Sequence, residues 1–279
     1  MAKSIDQQGK QYSRFWFIFT LLAGTFTMSI SQSSLSTAYP TLMRYFNLPA
    51  STIQWLTTGF MLIMCVTMPI SPWLLSNLRF KPLFLSVLAI FDIGTLIIVL
   101  SPTFWLMMVG RIMEAIAVGV LFPSFQTVLL TITKKDQRAT TMGAAGLVMG
   151  SALACGPIVS GIVLNYFTWR GLFVVFMVII TAVFLLAGSG FIRNVMPLHP
   201  ATLDFLSVIL SFGLIGILYV VNQIGSKNVN WTTNSLILIV SLLALVTNYM
   251  KQLRVVIVLY LMSNVEKSLA SKLNRFVSC

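Results

Sequence analysis

The chain has 279 residues, of which 57% are hydrophobic and 9% charged, with a formal net charge of +12. An ordinary soluble domain carries roughly 25% charged residues, so the composition excludes a soluble globular protein and points to an integral membrane protein. In a soluble chain the basic balance would suggest a nucleic-acid surface, but here the charges lie between long apolar runs, which excludes that reading.

A helix needs about 20 apolar residues to cross the bilayer. Runs of that kind occupy Phe15 to Ala38, Ile53 to Ser76, Leu83 to Leu100, Phe104 to Ile132, Thr141 to Tyr166, Leu172 to Ile192, Phe205 to Ile224 and Ser235 to Met250. The first run is too long for a cleavable signal peptide, and no small-residue cleavage pattern follows it. With a cytoplasmic N-terminus, the inside segments carry Lys3, Lys10, Arg14, Arg79, Lys81, Lys134, Lys135, Arg138, Arg193, Lys251 and Arg254, against Arg44, Arg170 and Lys227 outside. This positive-inside bias predicts a multi-pass protein of the cell membrane with its N-terminus in the cytoplasm. The bilayer is then the first partner, and no nucleic acid is expected. The predicted divisions are a cytoplasmic tail (1–14), a six-helix bundle (15–192), a cytoplasmic linker (193–202), two further transmembrane helices (203–250) and a basic tail (251–279).

In the first run, hydroxyls crowd Ser29 to Pro40. Serine can return its hydrogen bond to the helix backbone, which makes it cheap to bury. Gln32 adds an amide that needs partners, however, and Ser29, Gln32 and Ser36 share one helical face. Gln32 and Ser36 are therefore candidates for lining a substrate cavity.

The third run contains Asp92. A carboxylate inside a membrane segment is costly and marks a functional candidate; placed near the cytoplasmic end, it has the alternative of interfacial water or a pair with Arg79 or Lys81. The fourth run holds Arg111 and Glu114, three residues apart, where they can pair on one helical turn. Neither is tolerable facing lipid, so both are expected to point into the bundle or a wet cavity. They are read either as a static ion pair or as the groups that carry an exchanged proton. Further along, Pro123 is expected to kink the helix. Phe122 and Gln126, with Phe125 and Met149, are cavity candidates, although aromatic stripes are more often plain packing.

The fifth run places Gly143, Gly146, Gly150, Ala154, Pro157 and Gly161 at spacings of 3, 4, 4, 3 and 4, one bare stripe along a helix. In lipid such a stripe lets a second helix approach closely. Cys65, Cys155 and Cys279 are scattered and His199 stands alone in the linker, so no disulfide framework, metal site, cofactor or enzyme chemistry is expected.

Gly156-Pro157-Ile158-Val159-Ser160-Gly161, preceded by Gly146 and Gly150, resembles the antiporter signature on the fifth helix of the drug:proton antiporters of the major facilitator superfamily, with Ser160 where a glycine is usual. Ala38-Tyr39-Pro40-Thr41-Leu42 resembles the first-helix signature of the fourteen-helix branch, with Ser31 in the place of its aspartate. Ser71 to Pro82 resembles the family's turn between helices two and three, with Ser76 or Asn77 replacing the acid. Gly110 to Gly119 resembles the fourth-helix motif of arginine followed by glutamine and glycine, with Glu114 and Ala115 at the last two places. Glutamine cannot titrate. A glutamate there can take up and release a proton, with burial and Arg111 pulling in opposite directions. Trp169-Arg170-Gly171-Leu172-Phe173 resembles the family's Trp-Arg start of helix six, where an aromatic anchors at the interface, and residues 203–250 match two helices that the fourteen-helix branch inserts between its halves.

The resemblance implies an all-α integral membrane protein with a major facilitator-type N-terminal six-helix bundle plus two further helices and no second bundle. It also implies proton-coupled efflux of an amphipathic, drug-like small molecule, driven by the proton gradient and needing no cofactor. Arg111, Glu114 and Asp92 are its proton-coupling candidates, and Gly146, Gly150, Gly156, Pro157 and Gly161 its antiporter motif. After Arg254 the text departs from the family, and Val255 to Met262 is too short to span. A frameshift or premature stop is expected to underlie this; a separately encoded second half, or a homodimer, is the alternative. Two other functions stay open: a non-transporting fragment that partners a full-length relative, and an exporter of a metabolite on the same fold.

Overall fold

The computed structural model describes residues 3–5, 11–196, 198, 213, 216–217, 219–220, 232–247 and 250. The chain divides into two compact units, Met1–Leu203 and Asp204–Cys279. The first begins with two three-residue strands, β1 (Lys3–Ile5) and β2 (Gln11–Ser13), which pair antiparallel with Ser4 opposite Tyr12, and is helical from there on.

Helix α1 (Arg14–Phe46) runs beyond the predicted end at Ala38 and passes through Pro40. Its stop is Asn47 in the left-handed conformation, φ 52°, whose N–H bonds the Met43 carbonyl, with Pro49 two residues on. The second span, Ala50–Asn77, is not one regular helix. It is built from α2 (Ala50–Ile53), α3 (Trp55–Thr67), a 3-10 turn Met68–Ile70 and α4 (Ser71–Asn77). Pro69 and Pro72 fall in its lower part, where each removes a backbone donor. Helices α5 (Phe80–Leu100), α6 (Phe104–Ile132), α7 (Arg138–Tyr166) and α8 (Trp169–Leu186) follow, with a π-helical turn at Ala187–Phe191 closing the last. Among the described residues six helical spans are long and apolar enough to cross a membrane.

Hydrogen bonds identify the two ends of this unit. At the basic end, Arg14 Nη2 donates to Thr133 Oγ1, linking the start of α1 to the residue after α6. At the far end, Arg170 Nη2 donates to the Tyr45 hydroxyl (2.7 Å) and the Ser101 carbonyl (3.0 Å), and Arg170 Nε to the Val99 carbonyl (3.0 Å). The guanidinium also lies over the rings of Tyr45 and Trp169. Trp169 is buried at 2% exposure. The Trp-Arg start of this helix is therefore an internal clasp, which corrects the expectation of an aromatic anchored in the interface.

The apolar core falls into two clusters. One, toward the basic end, includes Phe17, Phe60, Phe84, Phe91, Ala115 and Ile180; the other, toward the far end, includes Leu35, Leu56, Ile98, Met107, Ala152 and Phe176. Along α1, α5 and α6 the change from one cluster to the other is marked by buried polar residues: Ser29 and Ser31, Thr95, and Arg111 with Glu114. A polar layer thus crosses the core between two apolar ones.

In the second unit, Thr232–Thr247 is helical. A Cβ at Gly213 would lie 2.7 Å from the Ser241 carbonyl oxygen, and one at Gly216 would collide with Ser241 Oγ, so these glycines admit a close helix approach. Most of the predicted seventh run, together with His199, Lys227, and the basic tail with Cys279, lies outside the described residues.

Candidate functional site

The polar layer is densest on α6. Gly110 has its counterpart on α5: a Cβ at Gly110 would lie 2.6 Å from the Gly94 carbonyl oxygen, and one at Gly94 2.8 Å from that of Gly110. Only two facing glycines permit this approach, and it brings α5 within reach of Glu114. Thr95 Oγ1 lies 2.7 Å from Glu114 Oε1. One turn back on α6, Arg111 Nη1 donates to Glu114 Oε2 at 2.6 Å. Arg111 Nε donates to the Leu56 carbonyl at 3.4 Å, and the guanidinium sits 4.3 Å from the centre of the Phe60 ring. Arg111 is 1% exposed and Glu114 0%.

The predicted pair is therefore formed and faces inward. Arg111 Nη2 is buried with no partner among the described residues. A guanidinium so placed has donor capacity left for a polar group of a ligand, a water or a moving carboxylate. Thr95, Phe60 and the Leu56 carbonyl complete the site, and sequence reading missed all three. The one local hint was a glycine, Gly94, beside the Thr95 hydroxyl and two residues from Asp92 in a mostly apolar helix.

Asp92 belongs to a second locus. Thr181 Oγ1 on α8 donates to its Oδ2 at 2.7 Å, while Oδ1 is buried without a partner among the described residues. Its place is about 18 Å along α5 from Phe80, near the middle of the helix rather than at its basic end. Lys81 Nζ bonds the Gly188 carbonyl instead, which corrects the alternative of an Asp92 pair with Lys81 or Arg79.

Helix α7 meets α1 through a face other than the predicted stripe. Its buried residues are Ala145, Ala152, Gly156 and Ser160. Ser34 Oγ donates to the Gly156 carbonyl at 2.9 Å, Ser29 Oγ contacts Met149 Sδ, and a Cβ on Gly156 would collide with Ser33. Gly143, Gly146, Gly150 and Gly161 have nothing within 4 Å of a would-be Cβ, and Pro157 is exposed. Of the antiporter-motif positions only Gly156 is a close contact among the described residues. The cavity candidates are dispersed: Gln32 is half-buried, Ser36 is exposed and returns its hydrogen bond to the Ser33 carbonyl, Phe122 packs against the core, and Gln126 is exposed.

Residues 21–270 match the family described as the Major Facilitator Superfamily. The chain belongs to this superfamily. Major facilitators are membrane transporters, so the chain is a multi-pass transporter-family protein and not an enzyme. It is 36% identical over 257 residues to YcnB of Bacillus subtilis, an uncharacterized MFS-type transporter, covering 90% of this chain and 53% of that protein. It is 32% identical over 256 residues to the lincomycin resistance protein LmrB of the same organism, covering 91% of this chain and 53% of that one. The chain thus spans about half the length of these curated relatives.

Solved major facilitator structures share the helical fold. A peptide transporter POT in complex with sulfate superposes with a TM-score of 0.59 at 14% identity, over 84% of this chain and 57% of that one. The human organic anion transporter MFSD10 does so with a TM-score of 0.58 at 11% identity, over 82% and 70%.

Proposed function

We propose that the chain forms the first bundle of a proton-coupled exporter of amphipathic, drug-like small molecules, in the fourteen-helix drug antiporter branch, with its basic end in the cytoplasm. The observation that carries this reading is the Arg111–Glu114 pair, a guanidinium and a carboxylate fully buried inside a membrane-spanning helix, where ionisable groups mark ion and substrate pathways. Similarity to a lincomycin resistance protein supports a drug-like cargo. In this reading Arg111 and Glu114 carry the exchanged proton, Asp92 is an auxiliary acid, and an inward proton gradient drives export.

The test is flux in vesicles. The chain is reconstituted alone and together with the portion of YcnB that it does not cover, and lincomycin or a cationic dye is the cargo. Gradient-dependent export that disappears in Glu114→Gln is expected of the assembled protein. Export that ignores the gradient, or none in the assembled form, sinks the reading.

A second reading is favoured by the open stripe of Gly143, Gly146, Gly150 and Gly161 on α7: a membrane fragment that pairs with a full-length relative and transports nothing itself. Co-purification with YcnB without any gradient-driven flux would select it.

A further inference from the structure

The basic end carries two kinds of cation. Lys134 and Lys135, between α6 and α7, and Arg138, the first residue of α7, are all exposed and lie close in the chain to Asp136. The positive-inside rule accounts for them fully. Lys81 and Arg193 are different: both are half-buried and both border the same backbone segment, 188–194.

Lys81 opens α5, where Asn194 Oδ1 accepts from its backbone N–H at 3.0 Å and its Nζ reaches the Gly188 carbonyl at 3.2 Å. Gly190 takes φ 107°, a left-handed turn open to glycine, and this folds the chain back so that Arg193 Nη2 lies 3.5 Å from where a Gly190 Cβ would stand. Arg193 makes no hydrogen bond or ion pair among the described residues, and its Nε is buried without a partner. Arg79, the residue before α5, is exposed. No carboxylate among the described residues pairs with any of the three; the structure's one ion pair among those residues is Arg111–Glu114.

The surface next to this cluster is built for lipid. The rings of Trp16 and Phe191 lie 5.3 Å apart between centres, tilted at 37° to each other, and Phe15, Trp16 and Phe19 are 58%, 40% and 47% exposed. An aromatic surface at a helix end sits at headgroup depth.

We infer that Lys81 and Arg193, at the junction of α5 with the π-helical end of α8, bind the phosphate of an anionic phospholipid in the leaflet at the basic end, with Trp16 and Phe191 against its glycerol and upper acyl region. Charge complementarity commits the site to an anionic lipid, because two uncompensated cations at a membrane surface attract anionic headgroups with no need of sequence motifs. The guanidinium supplies a planar fork that matches phosphate, and the lysine, with one of its three donors spent on Gly188, a point charge. This inference does not depend on the transport reading.

The test uses the full chain in detergent with equimolar phosphatidylglycerol and phosphatidylcholine, scored by lipid retained in native mass spectrometry. A preference for phosphatidylglycerol is expected, falling roughly five-fold for each cation removed in Arg193→Gln and in the Lys81→Gln, Arg193→Gln double variant. Lys134→Gln with Lys135→Gln should leave it intact. In the unaltered chain about 1 M salt should abolish the preference, which covers the case in which the double variant fails to fold. Equal retention of the two lipids, a preference untouched by Arg193→Gln, or displacement by inorganic phosphate at the lipid's own concentration overturns the assignment.

Discussion

The Thr95 hydroxyl lies 2.7 Å from Glu114 Oε1 and 2.9 Å from the Phe91 carbonyl oxygen. It has one proton to give and lone pairs to receive another. With a charged Glu114 it donates to the carboxylate; with a neutral one it accepts from the carboxyl and donates to Phe91. The rotor therefore satisfies Glu114 in both states. Thr95→Val leaves Oε1 buried without that partner and should cost roughly 1–3 kcal/mol of stability, whereas Thr95→Ser should recover most of it. Thermal unfolding in detergent measures both, and equal melting of the two variants would show that the hydroxyl contributes nothing.

The Arg111–Glu114 pair gives a sharper contrast. Removing one partner strands a buried charge, at a cost of roughly 3–5 kcal/mol, while replacing both with apolar residues of similar volume is often neutral. Arg111→Ala or Glu114→Ala should therefore unfold well below the parent, and the Arg111→Met, Glu114→Leu double variant near it. If the pair couples protons, the double variant in the assembled protein is stable yet shows no gradient-driven export. Full export by that variant would make the pair a mere pin.

Glycines that looked alike in the sequence should respond in opposite ways. At Gly94 and Gly110 an added methyl meets backbone within 3 Å, so alanine should force α5 from α6 and cost about 1–3 kcal/mol. At Gly146 and Gly150 there is open space, so alanine should be neutral, or stabilising by up to about 1 kcal/mol through helix propensity. Thermal melts of the isolated chain separate the two classes. Destabilisation by Gly146→Ala there would mean that the stripe is already packed.

Arg170 holds the far ends of α1, α5 and α8 with three hydrogen bonds from one planar group. Lysine lacks that fork, so Arg170→Lys should loosen these ends nearly as much as Arg170→Ala. Limited proteolysis between Asn47 and Ala50, and between Ser101 and Phe104, reads this directly. Cleavage at the parental rate in both variants would rule the clasp out.

The apolar spans, the clustering of cations in alternate loops and the Arg111–Glu114 pair were legible in the sequence by itself. Each is set by a local rule: bilayer thickness fixes run length, and helix pitch brings residues three apart together. The tertiary structure decided which side of each helix meets which neighbour. In water an apolar stripe marks the buried face, but in lipid the outward face is as apolar as the inward one. The glycine stripe of α7 therefore looked like its seam, whereas α1 packs on Ala152 and Gly156. Thr95, Thr181 and the Arg170 clasp stayed hidden for the same reason: each joins residues far apart in the chain, and only the packing of α5 on α6 and α8 brings them into contact.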